Sequence, residues 1–229
     1  MNQYTSLKVS KRVPCQYHLV LHDQSFYKGL PVLNYEHGLV VQYLDCLHQA
    51  IHSALQNSSR IFAVRVDLRF PDSAFPAGYE VLSNWYFQAF IRAFKRRLKK
   101  QSDEKRRLQQ RVHKMVFEYV WARECGLESG NPHYHLLLLL NGHSFNKLGS
   151  FSDSYENLYN RIRESWAEAL GRGVCKERAG VHFPDNGQYM LEPNEPDALA
   201  NLFRRASYLA KVSTKDFHGG YHVFGSSRR

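Results

Sequence analysis

The sequence predicts an α+β fold built on a central antiparallel sheet. Three features carry this reading. Residues 115–124 and 133–140 are strand-like runs joined by a turn-rich segment, the pattern of a β-hairpin. Residues 61–70 alternate in polarity and are closed by Pro71, as expected of a strand. Around them lie segments with helical apolar spacing, and strands mixed with helices in this way favour α+β.

In chain order, the first helix spans 39–57, with Val40, Tyr43, Leu44, Leu47, Ile51 and Leu55 at helical spacing and Asn57-Ser58-Ser59 ending it. The strand at 61–70 sets Phe62, Val64, Val66, Leu68 and Phe70 on one face and Ala63, Arg65, Asp67 and Arg69 on the other. A loop over 71–78 leads to a second helix at 81–100, aromatic at its start and basic at its end, with helix or disorder running on to 110. The strand at 115–124 places Glu118, Val120, Ala122 and Glu124 on one face. Gly126, Ser129, Gly130, Asn131 and Pro132 give a turn composition, and Asn141-Gly142 stops the strand at 133–140. A third helix covers 152–170 and ends at Gly171 and Gly173. A short strand follows at 180–183, and the last helix spans 195–212, with Pro193 and Pro196 at its start. Residues 1–14 and 219–229 read as tails of one domain at 15–218, the latter Gly- and Ser-rich and loose.

A chain of 229 residues, 43% hydrophobic and 23% charged, is long enough to bury a core and too apolar to be disordered. No stretch approaches the roughly 18 apolar residues of a membrane span, and the polar, basic start shows no signal peptide, which points to the cytoplasm. Cys15, Cys46, Cys125 and Cys175 lie far apart without CxxC spacing, which argues against a zinc ribbon or disulfide scaffold. The net charge is +10, and residues 92–114 alone hold eleven lysines and arginines against two acidic residues, a net +9. So local a patch is the footprint of a polyanion binder, with Lys95, Arg96, Lys99 and Lys100 as phosphate-contact candidates. No GxxxxGK[ST] loop is present, so no helicase motor is attached, and if the polyanion is duplex DNA its unwinding would need a partner such as a host helicase.

The chemistry concentrates at Pro132-His133-Tyr134-His135 and the five leucines after it. On a strand His133 and His135 share a face, while Tyr134, Leu136 and Leu138 turn to the core. Two imidazoles at that spacing can bind one divalent cation. Glu124 precedes the hairpin turn and His133 follows it, so a carboxylate and two imidazoles converge, a set suited to Mg2+ or Mn2+. Glu118, further along, is the weaker ligand candidate. If the strand at 61–70 neighbours the hairpin, its polar face lines the same site: Asp67 is then a ligand or a support for one, and Arg65 and Arg69 would touch phosphates. In the last helix, Leu199, Leu202, Phe203, Ala206, Leu209 and Ala210 account for the apolar stripe. The opposite face carries Arg204, Arg205, Tyr208, Lys211 and Lys215, with Tyr208, Lys211 and Lys215 spaced i, i+3, i+7. An exposed tyrosine beside two lysines has its phenolate stabilised and can act as a nucleophile.

These residues resemble a known pattern. Pro132-His133-Tyr134-His135 is similar to the HUH motif (His, hydrophobic, His) of rolling-circle replication initiators, relaxases and single-strand transposases. Asp67-Leu68-Arg69-Phe70-Pro71 resembles the first strand motif of those proteins, and Tyr208-Leu209-Ala210-Lys211 their tyrosine motif, in the same order. More closely, residues 64–71, the His pair and YLAKVSTK at 208–215 resemble the inovirus gene II and YagK/YfjJ C-terminal family of phage and prophage proteins, over residues 15–220. The resemblance implies a palm of the HUH endonuclease or RRM/ferredoxin type, with helices on one face of the sheet and DNA on the other. It implies a metal held by His133, His135 and, less firmly, Glu124; a nucleophile at Tyr208; and an electrostatic helper at Lys211. Single-stranded or origin DNA in a bacterial host would be nicked through a 5′-phosphotyrosine; from the basic patch and the polar faces of the strand and last helix, Lys95, Arg96, Lys99, Lys100, Arg65, Arg69, Arg204 and Lys215 are the expected contacts to it. No second tyrosine lies near Tyr208 on the helix, so a single-tyrosine mechanism is expected. A non-catalytic DNA-binding protein is the alternative, favoured if Tyr208 stands more than about 10 Å from the His pair.

Overall fold

The computed structural model describes residues 11–71, 83–126, 131–152, 156–171 and 174–227. The expected loop at 71–78 (past Pro71), the first residues of the expected second helix, most of the hairpin turn with Gly130, and Gly173 lie outside them. In chain order the elements are β1 (Arg12–Val13), β2 (Gln16–His22), β3 (Phe26–Tyr27), β4 (Leu30–Pro31), β5 (Leu39–Val40), α1 (Val41–Asn57) and β6 (Ile61–Arg69). Then come α2 (Trp85–Arg107), β7 (Phe117–Cys125), β8 (Pro132–Asn141), α3 (Leu158–Leu170), β9 (Val181–His182), β10 (Gln188–Leu191), α4 (Pro196–Ala206) and β11 (Phe224–Ser226). Among the described residues no helix is long and apolar enough to cross a membrane, and the four cysteines are unpaired.

The α+β class and the antiparallel sheet hold. The large sheet has the order β10-β6-β8-β7-β11, with β9 also pairing to β6, and every pairing in it is antiparallel. β8 lies in the middle and is bonded along its length to β6 and β7. That position explains its sequence, because a strand buried on both faces reads as a near-continuous apolar run, here Leu136 to Leu140, all 0% exposed.

Helices cover both faces, not one. Phe62, Val64, Val66, Leu68, Tyr134, Leu136 and Leu138 pack against α2 and α3. Ile61, Ala63, Val120, Ala122, Leu137 and Leu139 pack against α1 and α4. The two faces of β6 fall as its alternation predicts, but the second is polar only toward the end of the strand. Ala63 gives way to Arg65, Leu137 to His135 and Ala122 to Glu124, so all three strands switch from apolar to polar near one end of one face.

Several boundaries move. α1 begins two residues later than expected because Leu39 and Val40 pair with β2 in a small sheet, β1-β2-β5. Val13 is 1% exposed, so the ordered chain reaches into the expected N-terminal tail. α3 starts at Leu158, where the Asn157 side chain caps it by accepting the Asn160 N–H at 2.9 Å. The C-terminal tail is not loose throughout: Phe224, Gly225 and Ser226 pair with Ala122, Trp121 and Val120 at the sheet edge.

Trp166 of α3 ties the first core together. It is fully buried, its ring meets Phe70, Phe90 and Tyr134, and its indole N–H donates to the Arg69 carbonyl at 2.9 Å. Trp166→Ala is expected to lower the unfolding free energy by about 3–5 kcal/mol in urea titration, and a loss below about 1 kcal/mol would contradict this packing.

Candidate functional site

The polar end of the sheet face is where the sequence candidates meet. Register does most of the placement. His133 pairs with Glu124 on one side and Arg69 on the other, and His135 pairs with Ala122 and Asp67. Residues directly opposite on antiparallel strands share a face, so Glu124, Asp67 and both imidazoles point the same way.

The two His Nε2 atoms are 3.1 Å apart, and His135 Nε2 lies 3.4 Å from Glu124 Oε2. One ligand atom from each of Glu124, His133 and His135 falls within 4.8 Å of the others. Two ligands about 2.1 Å from one cation and at right angles would be separated by about 3.0 Å, so the donor set fits Mg2+ or Mn2+. Asp67 falls outside that candidate set and stands behind His135. Its Oδ1 lies 2.6 Å from His135 Nδ1. Burial pushes the Asp67 carboxyl up, but the bond to His135 and the nearby Arg65 charge outweigh it and hold the pKa at about 2. An ionised Asp67 only accepts, so Nδ1 carries the proton and the Nε2 lone pair is left for a cation.

Burial also acts against charge on His135, yet its bonds to Asp67 and Glu124 prevail and raise its pKa. His133 is lowered, by burial first and by His135 second. Glu124 is 1% exposed, and although burial opposes its charge, His135, Lys215 and Thr214 hold its pKa well below the carboxylate range. Its Oε2 receives Lys211 Nζ at 2.9 Å and Thr214 Oγ1 at 2.7 Å, and its Oε1 lies 3.3 Å from Lys215 Nζ. Glu118, by contrast, sits toward the other end of β7 with Ser53 and Ser227, away from the cluster.

Tyr208 reaches this cluster by a different local structure from the one expected. α4 stops at Ala206, and Ser207–Ala210 form a 3-10 turn. Residues i and i+3 eclipse in such a turn, which stacks Lys211 over Tyr208. Lys211 Nζ is 3.9 Å from the ring centroid and donates to the phenolic oxygen at 2.5 Å. The hydroxyl is 3.5 Å from His135 Nε2 and 3.4 Å from Glu124 Oε2. Lys215 arrives through a later turn and not along a helix face.

The electrostatics at Tyr208 reverse the expectation. The ring is half-buried and not exposed, and Lys211 and Lys215 are buried. Burial, then the negative charge of Glu124, push the Tyr208 phenol well above its ordinary pKa, with Arg65 opposing them. The spacing shows two lysines beside the tyrosine, but not that both pair with a buried carboxylate. Burial likewise lowers Lys215, to about 8, against the pull of Glu124.

The phosphate-contact candidates divide. Arg65 is 4% exposed, lies 5.5 Å from the Tyr208 ring centroid, and is 3.6 Å from Asp67, so it is a buried counter-charge and not a surface contact. Lys215 is buried on Glu124 for the same reason. Arg69 is exposed at the strand end opposite His133, and Arg204 is exposed on α4. The basic helix lies elsewhere. α2 packs on the other face, and it starts at the His end, where Asn84 Oδ1 accepts the Tyr134 hydroxyl at 3.2 Å. Phe94 already meets Phe117, which is paired with Leu140 at the far end. Lys95, Arg96, Lys99 and Lys100 therefore sit away from the His and Glu cluster, and Arg96 and Lys100 are paired with Glu168 and Glu104.

Three residues near the site escape a reading of the sequence. His182 lies 3.5 Å from Asp67, on the short strand expected at 180–183. Tyr35 meets the Tyr208 ring edge-on at 6.1 Å, from a loop without a readable pattern. Thr214 lies within the YLAKVSTK segment, where spacing assigns it no role.

The family model of the YagK/YfjJ C-terminal domain matches residues 22–227. The chain is 30% identical to the uncharacterized protein YagK of Escherichia coli K12 over 204 residues, 84% of this chain and 95% of that one. It is 29% identical to the uncharacterized protein YfjJ of the same organism over 200 residues, 81% of this chain and 93% of that one. No solved structure matches it. The match takes in the strand motif at 67–71, the His pair and the tyrosine turn, and the chain belongs to the YagK/YfjJ C-terminal domain family.

Proposed function

We propose that the protein is a metal-dependent enzyme of the HUH type that nicks and rejoins single-stranded origin DNA through a 5′-phosphotyrosine. In this reading it initiates rolling-circle replication of a phage, prophage or plasmid. One observation carries the proposal: the Tyr208 hydroxyl stands 3.5 Å from an imidazole nitrogen that belongs to a set of two imidazoles and one carboxylate. A protein that only binds DNA has no use for that juxtaposition.

Glu124, His133 and His135 would hold Mg2+ or Mn2+, which supplies Lewis-acid stabilisation of charge on a non-bridging phosphate oxygen. The phenolic oxygen of Tyr208 attacks phosphorus, and the bond from phosphorus to the 3′ oxygen breaks. The phenol loses its proton and the departing oxygen gains one, leaving a free 3′-OH. Lys211 already donates to the phenolic oxygen and stabilises the phenolate as the proton leaves. Asp67 fixes the His135 ring throughout. Attack of a 3′-OH on the phosphotyrosine reverses the step, rejoins the strand and restores Tyr208.

Substitutions at the tyrosine, the imidazoles and the basic helix test this reading. Tyr208→Phe removes one hydroxyl, so DNA binding should persist while the covalent adduct on a denaturing gel disappears. An adduct that survives, or that maps to Tyr35 or another tyrosine, would overturn the assignment. His133→Ala or His135→Ala should abolish cleavage and weaken Mn2+ binding by at least about tenfold, with DNA affinity nearly unchanged. Because ligands must be deprotonated and the His135 pKa is raised, wild-type Mn2+ affinity should fall as the pH drops into the mildly acidic range in calorimetry. Finally, Lys95 and Lys99 are exposed on α2. Replacing both with Ala should flatten the slope of log K against log salt by about 1.4, or about 0.7 per lost contact on a single strand. Cleavage at saturating DNA should not change. An unaltered slope would remove this helix from the DNA-binding surface.

A further inference from the structure

Thr214 occupies a backbone conformation that its side chain disfavours. Its φ is 69°, and a β-branched residue in the left-handed region is a genuine outlier. The turn accounts for the angle. The Lys215 N–H closes on the Val212 carbonyl at 3.3 Å, which makes Thr214 the third of four turn residues. With positive φ that position is normally glycine or asparagine. Thr214 is also only half-buried, so core packing gives little reason for a threonine there.

The hydroxyl does what glycine could not. Thr214 Oγ1 is 2.7 Å from Glu124 Oε2, closer than Lys211 at 2.9 Å, Tyr208 at 3.4 Å or His135 at 3.4 Å. Oγ1 also lies 2.5 Å from the Ser213 carbonyl, but a hydroxyl has one proton, and the ionised carboxylate is the stronger acceptor. The same turn grips the strand end through its backbone, because the Cys125 N–H donates to the Thr214 carbonyl at 3.0 Å. Lys215, the next residue, holds the other oxygen of Glu124.

We propose that Thr214 is a positioning residue for the metal site. Its hydroxyl fixes the rotation of the Glu124 carboxylate so that Oε2 faces the two imidazole nitrogens, and the strained turn is kept for the sake of that hydroxyl. The proposal rests on Glu124, His133 and His135 being the metal ligands.

The test measures Mn2+ binding to the full chain by calorimetry, together with the Tm of the metal-free protein. Thr214→Gly relieves the positive φ and removes the hydroxyl. It should leave the Tm equal to or above that of the wild type while raising the Mn2+ Kd about tenfold, and Thr214→Ser should keep the Kd within about threefold of wild type. Wild-type affinity in Thr214→Gly overturns the proposal. So does a drop in both Tm and affinity shared by Thr214→Gly and Thr214→Ser, because the threonine would then serve the fold alone. If wild type and His133→Ala bind Mn2+ equally well, the ligand assignment itself fails and the positioning role fails with it. That outcome is read from His133→Ala and stays distinct from the Thr214 results.

Discussion

The pairing of β8 between β6 and β7 is the interaction on which the rest of the structure depends. Hydrogen bonds run along both edges of this strand, and its register sets which side chains meet. A slip of one residue would turn His133 and His135 into the aromatic core and Tyr134 onto the polar face. The leucine run guards against that slip, because Leu136, Leu138 and Leu140 fill one core and Leu137 and Leu139 the other. The apolar strand thus fixes the geometry of the polar residues at its end.

The second constraint is charge balance in a buried place. Glu124 and Asp67 are carboxylates with almost no exposure, and Arg65, Lys211 and Lys215 are buried beside them. Such a cluster is sustained only if the charges compensate one another and their remaining hydrogen-bonding capacity is used. Glu124 is the hub, bonded to a tyrosine, a threonine and two lysines that arrive from one short stretch of chain. This is why the 3-10 turn after α4 matters. A regular helix through Lys215 would follow the polar face read from the sequence, whereas the observed turns fold both lysines inward onto one carboxylate.

Charge placement separates what composition merges. Nearly all of the net positive charge lies in residues 92–114, and most of its basic residues belong to α2. The Glu124, His133 and His135 cluster lies on the opposite face of the sheet and toward its opposite end. In the proposed reading, electrostatic capture and chemistry occupy different surfaces, and the exposed Arg69, paired opposite His133, remains to contact DNA beside the cluster.

Much of this protein is legible from its sequence because the relevant rules are local. Period-two alternation assigns the faces of β6, β7 and β8 correctly and puts Glu124, His133 and His135 on one face of the hairpin, whereas Asp67 joins them because β6 pairs with β8. Local pattern also finds the four helices, with errors at their ends where a cap or a strand pairing intervenes. What it does not supply is what covers each face. The covering of the second face by α1 and α4, the burial of Arg65, and the raised pKa of Tyr208 all arise from contacts between distant parts of the chain. Lys215 and Glu124 are 91 residues apart, and no spacing rule links them. The sequence alone determined which side chains could point together, since that follows from backbone geometry over a few residues. The tertiary structure decided which of them are buried: burial prevails at Tyr208, His133 and Lys215, whereas at Asp67, Glu124 and His135 the partners it brings into contact outweigh it.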